Sequence, residues 1–125
     1  MFAEGNVVAT IAVKDLAKGK DFYGAKLGLK KTDENMGGVT YTSGNGRLFV
    51  YESATAGTGQ ATCAMWEVKD AAAVVEELKA KGVSFEHYDM PGVTREGDLH
   101  VMGPMKAAWF KDPDGNILNF TSITT

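Results

Sequence analysis

The sequence predicts an α+β fold made of two tandem β-α-β-β-β modules. Three observations support this prediction. A strand-like segment that closes with Val-Lys-Asp occurs twice, at residues 8–15 and 63–70. Each copy runs into a stretch whose apolar residues have helical spacing. Each copy then ends in two strand-like runs joined by a glycine-containing turn. An internal repeat therefore organises the chain.

In the first module, the apolar residues 8–13 form the first predicted strand. Asp15 is a natural N-cap for the helix that follows, because its short carboxylate can accept from free first-turn N–H groups. Gly28 stands where a helix end favours a left-handed residue. Further strands are predicted at residues 29–32, 39–42 and 48–52, with a Ser-Gly-Asn-Gly turn between the last two.

The second module repeats this order. Its first strand covers residues 63–68, Asp70 caps the helix, and Gly82 ends it. Later strands are predicted at residues 83–88, 107–111 and 117–121. The Asp-Pro-Asp-Gly sequence at residues 112–115 suits a type I turn followed by a left-handed glycine. The module is therefore a second β-α-β-β-β unit.

The chain length of 125 residues predicts a single domain, with module one at residues 1–52 and module two at 61–125. Small and polar residues at 53–60 predict a flexible linker. Module two also carries an insertion at residues 89–105, rich in Gly, Pro and Met. Glycine and proline break regular pairing, so we expect this insertion to form a mobile apolar cover over a ligand site.

Charge and cysteine content narrow the possible partners. The net charge of −3 and the dispersed lysines argue against nucleic acid and anionic membranes as partners. The longest apolar run, residues 7–13, is far shorter than a membrane span. The single Cys63 cannot form an intrachain disulfide, and no secretory signal is recognisable. The sequence therefore predicts a cytoplasmic protein.

Three motifs carry a family resemblance: Val-Lys-Asp-Leu at residues 13–16, Phe22-Tyr23 followed by Leu-Gly-Leu at 27–29, and Phe-Lys-Asp-Pro-Asp-Gly-Asn at 110–116. With the duplicated module they resemble the vicinal-oxygen-chelate superfamily, which includes glyoxalase I, bleomycin-resistance proteins and extradiol dioxygenases. The resemblance implies that the mixed sheets curl into half-barrels around a cleft, often completed by a homodimer. It also implies that catalytic members hold a divalent metal with His, Glu or Gln from the first and last strands of each module.

The positions that correspond to those ligands hold Val8, Val50, Cys63 and Asn119. A hard divalent ion prefers carboxylate, imidazole or water ligands, and this set offers one amide oxygen and one soft thiol. The nearest substitute is Glu52, which period-two spacing places on the same face as Val50. The sequence therefore predicts no metal and no other cofactor.

Strand periodicity predicts one face that packs under the helices and an opposite face that lines the cleft. The helix side is expected to carry Ile11, Val13, Phe49, Tyr51, Leu118 and Phe120. The cleft side is expected to carry Thr10, Val50, Cys63, Met65, Trp109 and Asn119 as ligand-binding residues, with Glu52 and Glu67 beside them. A mostly apolar surface with a few polar groups is typical of a small-molecule site.

Two functions stay open at this stage. The first is a metal-independent binding protein of the glyoxalase/bleomycin-resistance type, which holds an apolar or aromatic ligand in the cleft. The second is a glyoxalase-like lyase or related metal-dependent enzyme that uses Glu52 and Glu67, provided that these are acid–base groups and not solvated charges. The residues at the implied metal-ligand positions are poor metal ligands, and this favours the binding protein over the enzyme.

Four further residues have two interpretations each. Cys63 is expected to be a small buried side chain rather than a nucleophile. His87 and His100 match no metal spacing and are expected at the surface. Trp109 could stack on a planar ligand or fill the core.

Overall fold

A computed structural model describes residues 1–35 and 37–123 of the chain. The backbone separates into two units, Met1–Thr58 and Gly59–Thr125, each with its own sheet. Residues 53–58, predicted as part of a flexible linker, form hydrogen-bonded turns. The hydroxyls of Ser53 and Thr55 lie 2.9 Å apart, and Ser53 N–H donates to the Val13 carbonyl. This stretch therefore belongs to the first unit.

The first unit has the predicted β-α-β-β-β order. Its elements are a 3-10 turn Phe2–Glu4, β1 Ala9–Val13, α1 Leu16–Lys20 continued by π-helical turns over Asp21–Lys26, β2 Lys30–Asn35, β3 Gly38–Ser43 and β4 Gly46–Glu52. The sheet order is β1-β4-β3-β2, with β1 and β4 parallel and the other pairs antiparallel. The α1 crossover is what allows β1 to lie parallel to β4.

The helix boundaries follow the local signals in the sequence. The Asp15 carboxylate accepts from the N–H groups of Ala17 and Lys18 at 2.9 and 3.4 Å, as expected of an N-cap. Gly28 has φ +73°, a conformation that favours glycine. Both predictions of helix ends in this unit are confirmed.

A close approach of α1 to the sheet forms the core of the first unit. A Cβ atom added at Gly19 would lie 3.3 Å from both Val13 methyls and 3.4 Å from a Val50 methyl. The buried side chains beneath the helix come from three strands: Ile11, Val13, Val39, Tyr41, Leu48 and Val50. The side of the first sheet that carries them is its helix side.

The second unit follows the same order with one added hairpin. Its elements are β5 Thr62–Glu67, α2 Ala71–Ala80, β6 Phe85–Glu86, β7 Thr94–Glu96, β8 Leu99–Met102, β9 Met105–Lys111 and β10 Ile117–Ile123. The sheet order is β5-β10-β9-β8-β7, and β6 also pairs with β9. Asp70 accepts from Ala73 N–H at 3.1 Å, and Gly82 has φ +87°, so the predicted helix ends are confirmed here too.

The insertion at residues 89–105 is largely regular, which corrects the prediction that its glycines prevent pairing. Strand β8 pairs with β9 on one side and with β7 on the other. Gly97 and Gly103 have φ +64° and +56° and form the turns that join these strands. The glycines therefore build the hairpins, and the irregular part of the insertion is confined to residues 89–93.

The 112–115 turn is held by a buried aspartate. Asp112 Oδ1 accepts from the N–H groups of Asp114 and Asn116 at 3.0 and 2.9 Å, and its Oδ2 accepts from Asn116 Nδ2 at 2.8 Å. Gly115 has φ +94° and donates its N–H to the Asp112 carbonyl. The predicted turn with a left-handed glycine is confirmed.

Across residues 1–35 and 37–123, none of the helices combines the length and apolar character needed to cross a membrane.

Candidate functional site

The second sheet has two distinct faces. Cross-strand register aligns Met65, Trp109 and Asn119 on neighbouring strands, and Trp66, Ala108 and Phe120 in the next row. Neighbouring rows point to opposite faces. The row with Phe120 faces α2, because Ser122, two residues further along β10, accepts from the Ala71 N–H at the start of that helix at 3.2 Å. Met65, Trp109 and Asn119 therefore lie on the opposite side, the helix-free face.

An aromatic cluster of Tyr88, His100 and Trp109 occupies this face. The His100 and Trp109 ring centroids lie 4.8 Å apart at 86°, and those of Tyr88 and Trp109 lie 5.5 Å apart at 85°. Edge-to-face contacts of this kind stabilise the arrangement beyond simple burial. Strands β6 and β8 pair with successive parts of β9, which brings Tyr88 next to His100.

His100 is buried, with 1% of its surface exposed, so the predicted surface position is wrong for this residue. The Tyr88 backbone N–H donates to Nε2 at 2.9 Å, while Nδ1 is buried and has no hydrogen-bond partner of good geometry among the residues that the structure describes. Burial lowers the pKa of His100 below its ordinary value, and the nearby Ala107 carbonyl opposes that shift. The ring is therefore neutral at physiological pH.

His87, by contrast, is exposed as expected. Its Nε2 lies 2.7 Å from Asp98 Oδ1, and Lys79 Nζ lies 3.1 Å from the other carboxylate oxygen. These contacts, led by the His87 hydrogen bond, lower the pKa of Asp98. Asp98 thus pairs with both His87 and Lys79, and the Lys79 contact joins α2 to the turn between β7 and β8.

The remaining residues of the helix-free face are mostly apolar or internally paired. Met65 is 59% exposed, and Trp109 Nε1 donates to Thr62 Oγ1 at 3.2 Å. Asn119 is 4% exposed, and its Oδ1 accepts from Thr121 Oγ1 at 2.7 Å. The prediction that Met65, Trp109 and Asn119 lie on the side of the sheet opposite the helix is confirmed. Their part in binding a ligand stays a prediction.

Cys63 departs from its expected burial. Its neighbours Thr62 and Ala64 pair with consecutive residues of β10, so Cys63 is the extra residue of a bulge, and its side chain is exposed. The thiol makes only weak contacts, 3.9 Å to the Ala61 carbonyl and 4.0 Å to Asn116 Oδ1.

In strand β4 the two faces are exchanged relative to the prediction. The parallel register pairs Ile11 with Val50, and Val50 is 0% exposed on the helix side. Phe49 and Tyr51 instead lie on the helix-free face of the first sheet, level with Thr10, with ring centroids 6.0 Å apart and nearly parallel. The placement of Val50 in a ligand site is therefore wrong, and that of Thr10 agrees with the predicted face.

Glu52 also lies on the helix side, because it pairs with Val13. Its Oε1 accepts from the Leu16 N–H, the first residue of α1, at 3.1 Å. This contact matches the Ser122–Ala71 contact in the second unit, so the last strand of each unit caps the unit's own helix. The prediction that Glu52 faces the ligand site is wrong, whereas Glu67 is exposed on the helix-free face.

The residues present do not fit a divalent metal. Of the four implied positions, Val8 and Val50 have no donor atom, Cys63 lies in a bulge, and the Asn119 amide oxygen is occupied by Thr121. Within the described part of the chain, no group of three or more His, Cys, Asp or Glu side chains could hold a metal ion.

The structure consists of two repeated α+β units, each with a mixed sheet and a crossover helix. This is the architecture of the glyoxalase fold. The family model for the Glyoxalase/Bleomycin resistance protein/Dioxygenase superfamily matches residues 6–120. The chain belongs to this superfamily.

Solved structures support the fold. A glyoxalase family protein from Bacillus anthracis has a TM-score of 0.75 and 15% identity, covering 96% of this chain and 95% of its own. A glyoxalase/bleomycin resistance protein/dioxygenase from Alicyclobacillus acidocaldarius has a TM-score of 0.70 and 18% identity, covering 97% and 92%. TnmS3, an antibiotic binding protein from Streptomyces sp. CB03234, has a TM-score of 0.67 and 20% identity, covering 96% and 98%. No curated protein matches the chain.

Proposed function

We propose that this protein is a metal-independent small-molecule-binding protein that holds an apolar or aromatic ligand against the helix-free face of its second sheet. The observation that carries the proposal is the pairing of exposed Met65 with Trp109 across Asn119. An adaptable thioether beside a large aromatic ring forms a surface on which a planar ligand loses contact with water. TnmS3, which shares the fold, is an antibiotic binding protein and gives independent support.

The position of Glu52 favours binding over the lyase alternative. The alternative of a lyase needs Glu52 and Glu67 at one ligand, but Glu52 holds the first N–H of α1 on the helix side of its sheet. A carboxylate engaged there has no substrate proton within reach. We therefore keep binding as the proposed function.

Tryptophan fluorescence tests the site directly, because the chain has two tryptophans on opposite faces of one sheet. Fluorene, a planar hydrocarbon, is titrated into the native protein and into the Trp66→Phe and Trp109→Phe variants. We expect saturable quenching in the native protein and in Trp66→Phe, and its loss in Trp109→Phe. Quenching that survives in Trp109→Phe and disappears in Trp66→Phe would contradict the proposed face.

Metal independence has its own measurement. Protein purified without chelator is expected to contain far less than one divalent ion per chain, because the implied ligand positions lack suitable donors. Elemental analysis that finds about one Zn, Ni, Mn or Fe per chain would contradict this part of the proposal.

A homodimer in the cytoplasm completes the proposal. Strands β2 and β7 lie at sheet edges, and the unpaired backbone groups of such edges can pair with another chain. The family resemblance implies a cleft that a homodimer often completes. The single Cys63 cannot form an intrachain disulfide, which fits a reducing compartment such as the cytoplasm. Light scattering at tens of micromolar should give the dimer mass, and a monomer mass would count against it.

A further inference from the structure

The proton of the neutral His100 ring can be assigned from its hydrogen bond. The Tyr88 N–H donates to Nε2, so Nε2 presents a lone pair. A neutral imidazole carries its single proton on the other nitrogen. Nδ1 is therefore an N–H donor.

Within the described residues this donor makes no hydrogen bond of good geometry, although its side chain is almost fully buried and the Ala107 backbone lies near enough to raise the pKa of the ring. Buried polar groups in proteins are nearly always hydrogen-bonded, and an exception calls for a physical reason. One such reason is that a bound ligand supplies the acceptor for this donor.

The position of the ring suits contact with a ligand on the helix-free face. The His100 and Trp109 centroids are 4.8 Å apart, so a ligand that contacts the Trp109 ring on this face lies close to His100. Tyr88, which covers the same ring, lies outside the strands, between β6 and the irregular residues 89–93. Its side chain contacts both His100 and Trp109.

The same hydrogen bond limits what His100 can do. Nε2 cannot bind a cation or take up a proton without losing the Tyr88 N–H, so the ring neither ligates a metal there nor becomes positive readily. The matching ligand group is a hydrogen-bond acceptor.

We propose that His100 Nδ1–H donates to the ligand, and that the ligand is a planar aromatic compound with a carbonyl-type oxygen at its edge. This inference rests on the proposed function, because it concerns the same face and adds the ligand's chemical class.

The first test uses the ligand-free protein. Nitrogen-15 NMR of the imidazole rings should show the Nδ1–H tautomer for His100 at pH 7.5, with His100→Gln used to assign the signal. An Nε2–H tautomer would overturn the proposal, whatever any ligand does.

The second test compares two probes with the same skeleton, 9-fluorenone, which has a carbonyl, and fluorene, which has none. We expect native protein to bind fluorenone about three- to tenfold more tightly, the effect of one neutral hydrogen bond, with a shift of the Nδ1 resonance. In His100→Met, which has no donor, the two affinities should become equal. His100→Gln retains an acceptor for Tyr88 and a donor for the ligand, and should restore part of the preference.

The outcomes separate the two proposals. If both probes bind at Trp109 with equal affinity in native protein, or if His100→Met keeps the preference for fluorenone, the donor role is wrong and the binding function stands. If neither probe quenches Trp109, the binding function fails in this form and the donor role fails with it. Should His100→Met not fold, the native affinity ratio and the NMR shift still decide.

Discussion

The backbone N–H of Tyr88 donates a 2.9 Å hydrogen bond to Nε2 of His100. This contact joins the irregular chain after β6 to a buried ring on β8, and it fixes the tautomer of that ring. One side chain therefore serves both the fold, as an acceptor, and the proposed ligand, as a donor.

Replacing His100 with Met is expected to destabilise the protein by about 1–3 kcal/mol, because the Tyr88 N–H loses its acceptor in a partly buried place. His100→Gln should recover at least half of that loss, since the amide oxygen can accept the same bond. Urea unfolding monitored by circular dichroism measures both. Equal stability of the Met and Gln variants would show that the hydrogen bond is unimportant.

Acidification is expected to weaken the fold through His100. Burial lowers its pKa, the neighbouring His87 and Arg95 act in the same direction, and the Ala107 carbonyl and Asp89 oppose them. The unfolded chain therefore binds a proton near pH 6.5 that the folded protein does not. The contribution of neutral His100 is present above about pH 6.5 and is lost as the pH falls from there towards the lowered folded pKa, by at most about 1.4 kcal/mol per pH unit.

Urea midpoints at pH 7.5 and 5.5 measure this effect in the native protein, His100→Gln and His87→Gln. The decrease should be smaller in His100→Gln and should persist in His87→Gln, whose histidine lies at the surface. A decrease that disappears in His87→Gln and persists in His100→Gln would show that His100 does not cause it.

Glu52→Ala is expected to cost about 0.5–1 kcal/mol of stability, because the Leu16 N–H loses a charged acceptor at the start of α1. Binding of fluorene should not change. Glu67→Ala, on the helix-free face, is the matched control and should leave stability nearly unaltered. An unchanged urea midpoint for Glu52→Ala together with weaker ligand binding would return Glu52 to the site.

Sequence signals that act within a few residues predicted the structure well. Asp15 and Asp70 cap their helices, and the turn glycines adopt the positive φ angles that their positions require. These features depend on backbone chemistry that neighbouring residues alone determine.

Features that depend on tertiary packing were not predictable in the same way. Residues 48–51 of strand β4 are all hydrophobic, so both faces of the strand are equally apolar. Periodicity therefore could not tell whether Val50 or Phe49 faces the helix. The close approach of Gly19 to Val13 and Val50 decides that question. Burial of His100 likewise depends on Tyr88 and Trp109, which contact it across separate elements.

The last prediction tests that close approach with two glycines of one helical segment. Alanine in place of glycine stabilises an isolated helix by up to about 1 kcal/mol. At Gly24 an added Cβ would have ordinary contact, 3.6 Å from the Tyr41 ring, so Gly24→Ala should be neutral or stabilising by up to that amount. At Gly19 it would lie 3.3 Å from two branched methyls in a packed core, so Gly19→Ala should cost about 1–3 kcal/mol despite the gain in helix propensity. Urea unfolding of the two variants measures the difference, and equal stability would show that α1 can move away from β1 and β4 at little cost.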